Sequence, residues 1–223
     1  MIELKHITKS FSVDKEKKVV LSDISLSIED GEMIAIMGAS GSGKSTLLNI
    51  LGCMEQPDSG TYICNHQEIS NFSLRKKELF RKENIAFIFQ QFALVTDMTV
   101  KENIELPLKA RNVAKKERSR LVREYSEMME ISDQLKKKPA LISGGQQQRC
   151  AIARALVTGN SIILADEPTG ALDRKTGMEI MAFLRKLTEQ GKTVIVVTHD
   201  EKVAQMADRI IYIEDGKLIT GIE

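Results

Sequence analysis

The chain is poor in the residues that hold small secreted or metal-bound folds together. It has 223 residues with no tryptophan and 3 cysteines, and aromatic residues make up 4%. Cys53, Cys64 and Cys150 are scattered and lack the spacing of metal ligands, which argues against a disulfide framework. We therefore expect reduced thiols in a cytosol, packed as small core residues.

The chain also lacks long apolar runs and an excess of either charge. No apolar stretch approaches the roughly 20 residues that a membrane-spanning helix needs, and residues 1–4 show no basic and then apolar signal pattern. Lysines and arginines number 32 against 31 aspartates and glutamates, so the net charge of +1 gives no reason to expect nucleic acid as a partner. If the protein works at a membrane, we expect another chain to supply the span.

What remains is an ordinary globular composition, 42% hydrophobic and 28% charged, for roughly one to two domains. Short β-branched segments at residues 2–7, 19–21 and 24–28 predict a small, mostly antiparallel sheet. A further strand is predicted at residues 61–64, after the turn that Pro57 opens.

The second half of the sequence alternates between helical and strand patterns. Between residues 100 and 135 the apolar period is helical, which predicts a helical insert. Runs at 162–165 and 194–197 flank a helix pattern, and this βαβ order favours a buried parallel sheet. The last runs, at 210–213 and 217–219, predict a hairpin. Within the insert, we expect one helix face to carry Leu121, Tyr125, Met128 and Met129.

A glycine-rich loop at residues 38–46 lies between an apolar strand pattern and a helix pattern. Its glycines let several backbone N–H groups point at one anion, Lys44 adds a mobile charge, and the Ser45 hydroxyl suits a magnesium ion. A flexible linker is the alternative, but linkers are not bracketed by a buried strand and an apolar helix. We predict a nucleotide phosphate site formed by Gly38, Ser40, Gly41, Gly43, Lys44, Ser45 and Thr46.

Two carboxylates follow the apolar run at residues 162–165. Neighbouring side chains at a strand end point in different directions, so Asp166 and Glu167 can hold separate roles. Asp166 suits the magnesium ion, and Glu167 can polarise a water that attacks the γ-phosphate. An acidic turn after a core strand is the alternative, and the phosphate loop makes it the weaker one.

A second anion cradle is predicted at residues 142–149, where a serine and two glycines open a helix. A capped helix start with a glycine turn is the alternative. That alternative does not explain why a chain that binds one nucleotide carries two cradles. A dimer does, if each ATP lies between the phosphate loop of one copy and this segment of the other, with contacts from Ser143, Gly144, Gly145 and Gln146.

The order and spacing of these motifs resemble ATP-binding cassette (ABC) ATPase subunits over essentially the whole chain. Within that superfamily, residues 87–92 and 165–170 resemble the branch of MacB and LolD, bacterial exporters of macrolides, peptides and lipoproteins. The resemblance implies an α/β fold in one ABC ATPase domain, residues 1–223. It implies a P-loop NTPase (RecA-like) core with an N-terminal antiparallel β subdomain (1–90 and 159–223) and a helical subdomain with the signature motif (91–158).

The resemblance also implies roles for residues that their own chemistry leaves open. Gln90 would touch the magnesium and the water and couple to the membrane partner, although Gln91 has the same chemistry. Asp173 would lie at the dimer interface, and His199 would hydrogen-bond the γ-phosphate and Glu167. Phe11 lies where the family stacks an aromatic under the adenine ring, and a core aromatic of the small sheet is an equal alternative. His6 and His66 do not lie in any of these motifs and are expected on the surface.

The implied function is that of an active ATPase with ATP and Mg²⁺ as cofactors. Two copies would close around two ATP and drive membrane permease subunits from the cytoplasmic face of the membrane, exporting a peptide, an antibiotic or a lipoprotein. One alternative is a cell-division-type regulator that pulls on a membrane partner without transport. Another is a soluble cassette of DNA repair or translation, which would normally show a coiled-coil insertion or a second cassette.

Overall fold

The computed structural model describes residues 1–13 and 16–219. Within these residues the strands are β1 (Ile2–Val13), β2 (Glu16–Ile28), β3 (Met33–Met37), β4 (Ser59–Cys64), β5 (Gln67–Glu68), β6 (Ile85–Ile88), β7 (Ile162–Asp166), β8 (Thr193–Val197), β9 (Arg209–Glu214) and β10 (Lys217–Ile219). The α-helices are α1 (Lys44–Leu51), α2 (Leu74–Asn84), α3 (Val100–Ala110), α4 (Lys115–Met128), α5 (Gly144–Leu156), α6 (Arg174–Glu189) and α7 (Glu201–Ala204). Short 3₁₀ turns occupy Ile69–Asn71, Ser132–Gln134 and Pro139–Leu141.

The larger sheet has the strand order β10-β9-β3-β8-β7-β6. Strands β6, β7, β8, β3 and β9 pair in parallel, and β10 joins β9 antiparallel. Every residue of β3 and β8 is buried, as expected for strands covered on both faces. The predicted βαβ unit and the C-terminal hairpin are confirmed. Because the strands are parallel, the loops after β3, β6, β7 and β8 all emerge at one edge of the sheet.

The smaller sheet is antiparallel in the order β2-β1-β4-β5, as predicted. The prediction of separate strands at 19–21 and 24–28 is wrong, because both belong to β2. Register shifts between β1 and β2 let the strand continue through the polar residues Ser22 and Asp23, which separate the two predicted segments. At the shift His6 and Asp23 adopt positive φ, and the His6 Nδ1 lies 2.7 Å from the Asp23 Oδ1.

Helices α3 to α5 lie along the chain between β6 and β7, where the helical insert is predicted. Of the residues predicted to share one helix face, Leu121, Tyr125 and Met129 pack in the core, whereas Met128 is 45% exposed. The helix ends at Met128, and Met129 is buried as its C-cap residue, so the helical period does not continue through it. The domain bounds at residues 90, 91, 158 and 159 stay a prediction.

Two apolar layers pack on opposite faces of the larger sheet. Along β7, Ile163 and Ala165 face the helices α3 to α6, and Ile162 and Leu164 face α1 and the smaller sheet. This alternation follows from the two-residue period of a strand. Within the described residues, no helix combines the length and the apolar character needed to cross a membrane.

The three cysteines are buried in these two layers, as predicted. Burial raises the pKa of the Cys53 and Cys64 thiols to about 11 and that of Cys150 to about 12. The thiols are therefore protonated at neutral pH and behave as small apolar groups. His6 and His66 are exposed, also as predicted.

Candidate nucleotide site

The phosphate loop connects β3 to α1 and depends on two glycines. Gly43 is the N-cap of α1 with φ 107°, and a Cβ there would lie 2.7 Å from a methyl carbon of Leu21. Gly38 has φ 152°, and a Cβ there would collide with the backbone oxygen of Ile213. Only glycine fits both positions, so the tight curl is built into the packing of the loop. Ser40 and Gly41 are exposed at its tip, and Thr46 lies half-buried in the first turn of α1.

Lys44 folds back over this loop. Its Nζ donates to the carbonyl oxygens of Gly38 at 2.8 Å and Ala39 at 2.7 Å. Neutral carbonyls hold an ammonium group less strongly than an anion does. The arrangement therefore keeps a positive charge at the loop that a phosphate can attract.

Asp166 ends β7 next to the start of α1. The Ser45 hydroxyl lies close enough to the Asp166 carboxylate to lower its pKa. Burial, and then the charge of Glu167, raise the pKa of Asp166, while Ser45 and Lys44 act against this rise. A hydroxyl and a partly buried carboxylate facing each other are the oxygen donors that Mg²⁺ prefers, so the residues fit the predicted metal site.

Glu167 turns away from Asp166, as the strand-end argument predicts. Its φ is 46°, a strained value for a residue with a side chain, and its N–H donates to the Val197 oxygen at 2.9 Å. The Glu167 Oε1 lies 2.7 Å from the His199 Nδ1. The Glu167 side chain is 12% exposed and the His199 side chain 73% exposed, so the pair joins a sheltered carboxylate to an imidazole open to solvent.

Gln90 lies just after β6 and faces the same turn. Its Nε2 would be 3.9 Å from a Cβ built on Gly170, and the Gly170 N–H donates to the Glu167 oxygen at 3.1 Å. This proximity favours Gln90 over Gln91 for the predicted role.

Phe11 on β1 is 38% exposed, with the Lys9 Nζ 5.0 Å from its ring centroid, so the core-aromatic alternative is wrong.

The predicted second cradle forms the N-terminus of α5. Ser143 is its N-cap and shares a capping box with Gln146: the Gln146 N–H donates to the Ser143 Oγ at 3.3 Å, and the Ser143 N–H donates to the Gln146 Oε1 at 3.0 Å. Ser143 and Gly144 are exposed. Since no acidic residue occupies positions 143–149, the positive end of the helix dipole has no compensating carboxylate there.

Within one chain this cradle lies beside the segment around Asp173. Among the described residues, only the Ala171 oxygen and the Phe92 ring come within 4 Å of a Cβ built on Gly144, at 3.8 and 3.9 Å. A Cβ on Gly145 meets only Thr176, at 3.6 Å. Asp173 caps α6 by accepting the N–H groups of residues 175 and 176 at 3.1 Å. No residue of the phosphate loop comes within 4 Å of a Cβ built on Gly144 or Gly145.

Two site-proximal residues were missed from the sequence. Ser42 lies within the phosphate loop, and its buried Oγ has no hydrogen-bond partner among the described residues. Gln148 is buried on α5 and contacts the segment that follows Glu167. The signal for Gln148 was available, since a polar residue on the apolar face of a helix predicts a specific partner.

A parallel sheet whose central strand runs into a glycine-rich phosphate loop, with carboxylates ending a nearby strand, defines a P-loop NTPase. The chain belongs to the ABC transporter family, whose family profile matches residues 21–170. It is an ABC-type ATPase cassette.

Several relatives are similar to nearly all of this chain. The macrolide export ATP-binding/permease protein MacB of Salmonella typhimurium is 47% identical over 219 residues, which are 98% of this chain and 34% of that protein. The MacB of Photorhabdus laumondii is 47% identical over 220 residues, again 34% of its length. The chain thus spans about a third of the length of these relatives.

Solved structures match over the full length of both chains. The ATP-binding cassette MJ0796, in a dimeric post-hydrolysis state bound to ADP and Pi, superposes with a TM-score of 0.93 at 44% identity. The match covers 99% of this chain and 97% of that one. A second dimeric structure of MJ0796, described as a bacterial ABC transporter cassette, gives the same TM-score at 45% identity. The predicted fold class is confirmed.

Proposed function

We propose that the chain is the ATP- and magnesium-dependent motor of a bacterial ABC transporter. Two copies close around two ATP molecules, and hydrolysis reopens them to drive a membrane permease. The main support for this proposal is the contact between Glu167 and His199, at the sheet edge where the phosphate loop and Asp166 also lie. The dimeric MJ0796 structure with ADP and Pi supports this function.

The phosphate loop and the strand-end carboxylates would bind the nucleotide. Lys44 leaves the carbonyls of Gly38 and Ala39 and pairs with the phosphates, which attract the ammonium more strongly. Ser45, Asp166 and Gln90 would hold the magnesium ion. When bound, that ion neutralises phosphate charge and orients the γ-phosphoryl group.

Glu167 would act on the attacking water. Its carboxylate would accept a hydrogen bond from the water and take its proton as the water oxygen bonds to the γ-phosphorus and the bond from that phosphorus to ADP breaks. His199 holds this carboxylate by donating from Nδ1, and its exposed ring edge can reach the γ-phosphate. The left-handed backbone at Glu167 aims the carboxylate away from Asp166, which keeps the water and the metal on separate groups.

The homodimer proposal rests on the exposed start of α5 and on the dimeric MJ0796 structures. Ser143, Gly144, Gly145 and Gln146 face solvent or the Asp173 segment within their own chain, so a second copy can bring them to the γ-phosphate. Asp173 would then lie at the interface, where its capping role ties α6 to the state of the neighbouring site.

Phe11 is proposed to stack under the adenine ring, because it is partly exposed. Phe11→Ala should weaken ATP binding by roughly 2- to 10-fold, the equivalent of the about 0.5–1.5 kcal/mol that an aromatic pair contributes. Phe11→Tyr, which keeps the ring face, should bind ATP as the parent does. Titration with a fluorescent ATP analogue measures both, and equal affinity of the alanine variant would remove Phe11 from the site.

We further propose that a groove of about 520 Å³ receives a cytoplasmic segment of the permease. Phe87 and Phe89 stack there with ring centroids 4.3 Å apart. Phe89 and Ala93 line the groove on either side of Gln90. Movement of a bound permease segment would therefore displace Gln90 in the nucleotide site. The groove wall also carries the acidic Glu78 and four basic side chains that already donate to backbone oxygens of this chain, namely Arg81, Lys82, Arg111 and Arg154.

Phe89→Glu should weaken binding to vesicles that contain the partner permease by about 10-fold or more, because it places a charge at the centre of an apolar contact. Ile219→Glu is the matched control, since β10 lies at the opposite edge of the sheet from β6. Co-sedimentation measures both. Equal binding of the two variants would place the permease elsewhere.

The permease partner would locate the chain at the cytoplasmic face of the membrane. The MacB relatives are named as macrolide export proteins, which supports export of an antibiotic, a peptide or a lipoprotein over the cell-division-type alternative. Nucleic acid is not part of this proposal.

A further inference from the structure

Gln148 is a buried amide on α5, the helix that begins in the signature segment (residues 142–149), and the oxygen of this amide is unpaired among the described residues. It is 1% exposed, and its Nε2 donates to the Pro168 oxygen at 2.7 Å. A carbonyl oxygen can only accept, so the amino group of the amide must face Pro168. The Gln148 Oε1 then remains buried without a partner among the described residues. Such an atom is costly in a folded protein and calls for a functional reason.

Pro168 directly follows Glu167, whose backbone is strained. Glu167 is held from one side by its N–H bond to the Val197 oxygen and from the other by the Gly170 N–H on its own oxygen. The hydrogen bond from Gln148 adds a third anchor at the next carbonyl. It is the one anchor that comes from α5, which carries the signature segment, so it links that helix to the orientation of the Glu167 carboxylate.

Gln148 lies about one and a half helical turns, or roughly 7.5 Å, from the N-cap Ser143. A helix this short moves as a rigid unit, so displacement of its N-terminus also displaces the Gln148 amide. We propose that Gln148 is a positioning residue that relays engagement of the α5 N-terminus by the nucleotide of the other copy to Glu167 of its own chain. This inference rests on the proposed function of Glu167 and of the dimer.

The relay gives the two sites of the dimer a direct connection. An ATP that binds the α5 N-terminus of one chain sets the geometry of that chain's own Glu167, which serves the other ATP. The unpaired Gln148 Oε1 is then available to a donor that arrives when α5 shifts. Hydrolysis at one site thereby depends on occupancy of the second.

The test compares Gln148→Met, which removes the amide at nearly constant length, with Gln147→Met as the matched control. Gln147 is half-buried on the same helix and its amide reaches only the Ile142 oxygen, at 3.3 Å. We expect kcat for ATP to fall by about 10- to 100-fold in Gln148→Met, as for a misplaced catalytic group. The KM for ATP and the melting temperature should stay close to those of the control. Should Gln148→Met fail to fold, Gln148→Leu, which also removes the amide and buries no charge, is interpreted in the same way.

Two results would overturn the inference. One is a kcat equal to that of Gln147→Met, and the other is a fall in kcat that comes with an equal rise in KM. A double-mutant cycle with Ser143→Ala tests the relay itself. If the double variant loses less kcat than the product of the two single losses, the two residues act along one path, which supports the relay. If the single losses multiply, the residues act independently and the relay is contradicted. Glu167→Gln distinguishes failure of the proposed function from failure of the relay. If Glu167→Gln keeps full turnover, the proposed function fails. If Glu167→Gln loses turnover but Gln148→Met keeps it, only the relay fails.

Discussion

Glu167→Gln should reduce ATP hydrolysis by about 10²- to 10⁴-fold while ATP binding survives, the range of a lost general base. The amide keeps the shape of the side chain and its contact with His199, but it cannot take a proton from water. Asp166, Ser45 and Lys44 remain in place, so the nucleotide still binds. Turnover assays and equilibrium ATP binding on the same preparation measure the two effects.

The same variant should accumulate as an ATP-bound dimer, because the step that reopens the dimer is blocked. Sizing chromatography with ATP and magnesium should show a persistent dimer that the parent shows only transiently. Glu68→Gln, on the exposed strand β5, is the matched control and should hydrolyse ATP normally. Unchanged turnover in Glu167→Gln would remove Glu167 as the base.

Gly144→Asp should lower hydrolysis on the order of 10²-fold, because a carboxylate at the α5 N-terminus would face the γ-phosphate held by the other copy. A Cβ at Gly144 meets nothing closer than 3.8 Å, and an acidic residue in the first turn favours the helix. The monomer should therefore fold and bind ATP as before. The loss should appear only in dimer formation and in turnover.

Lys115→Asp is the control for this variant, since it also places an acidic residue at the start of an exposed helix, α4. It should leave dimer formation and turnover unchanged. ATP binding by dilute Gly144→Asp protein tests the split site directly. A strong loss of binding there would mean that a single chain uses both of its own cradles, and the dimer proposal would fail.

The local parts of the fold were predictable from the sequence. The apolar run before Gly38 and the helix after Gly43 identified β3, the phosphate loop and α1, and Ser143 identified the start of α5. The predicted helix face of α4 holds for Leu121, Tyr125 and Met129 but not for Met128, which is 45% exposed. The sequence pattern does not show that the helix ends at Met128, because a helix end depends on its tertiary partners.

The sequence by itself determined which segments are strands, helices and loops, and which chemical groups end them, because these depend on neighbours within a few positions. The tertiary structure alone decided which distant groups meet. Ser45 faces Asp166, His199 reaches Glu167 across 32 positions, and Gln148 contacts Pro168 across 20. The physical reason is the order of the parallel sheet, in which β3 and β7 both flank β8. That order follows from packing the whole chain on the two faces of one sheet, and no local pattern in the sequence contains it.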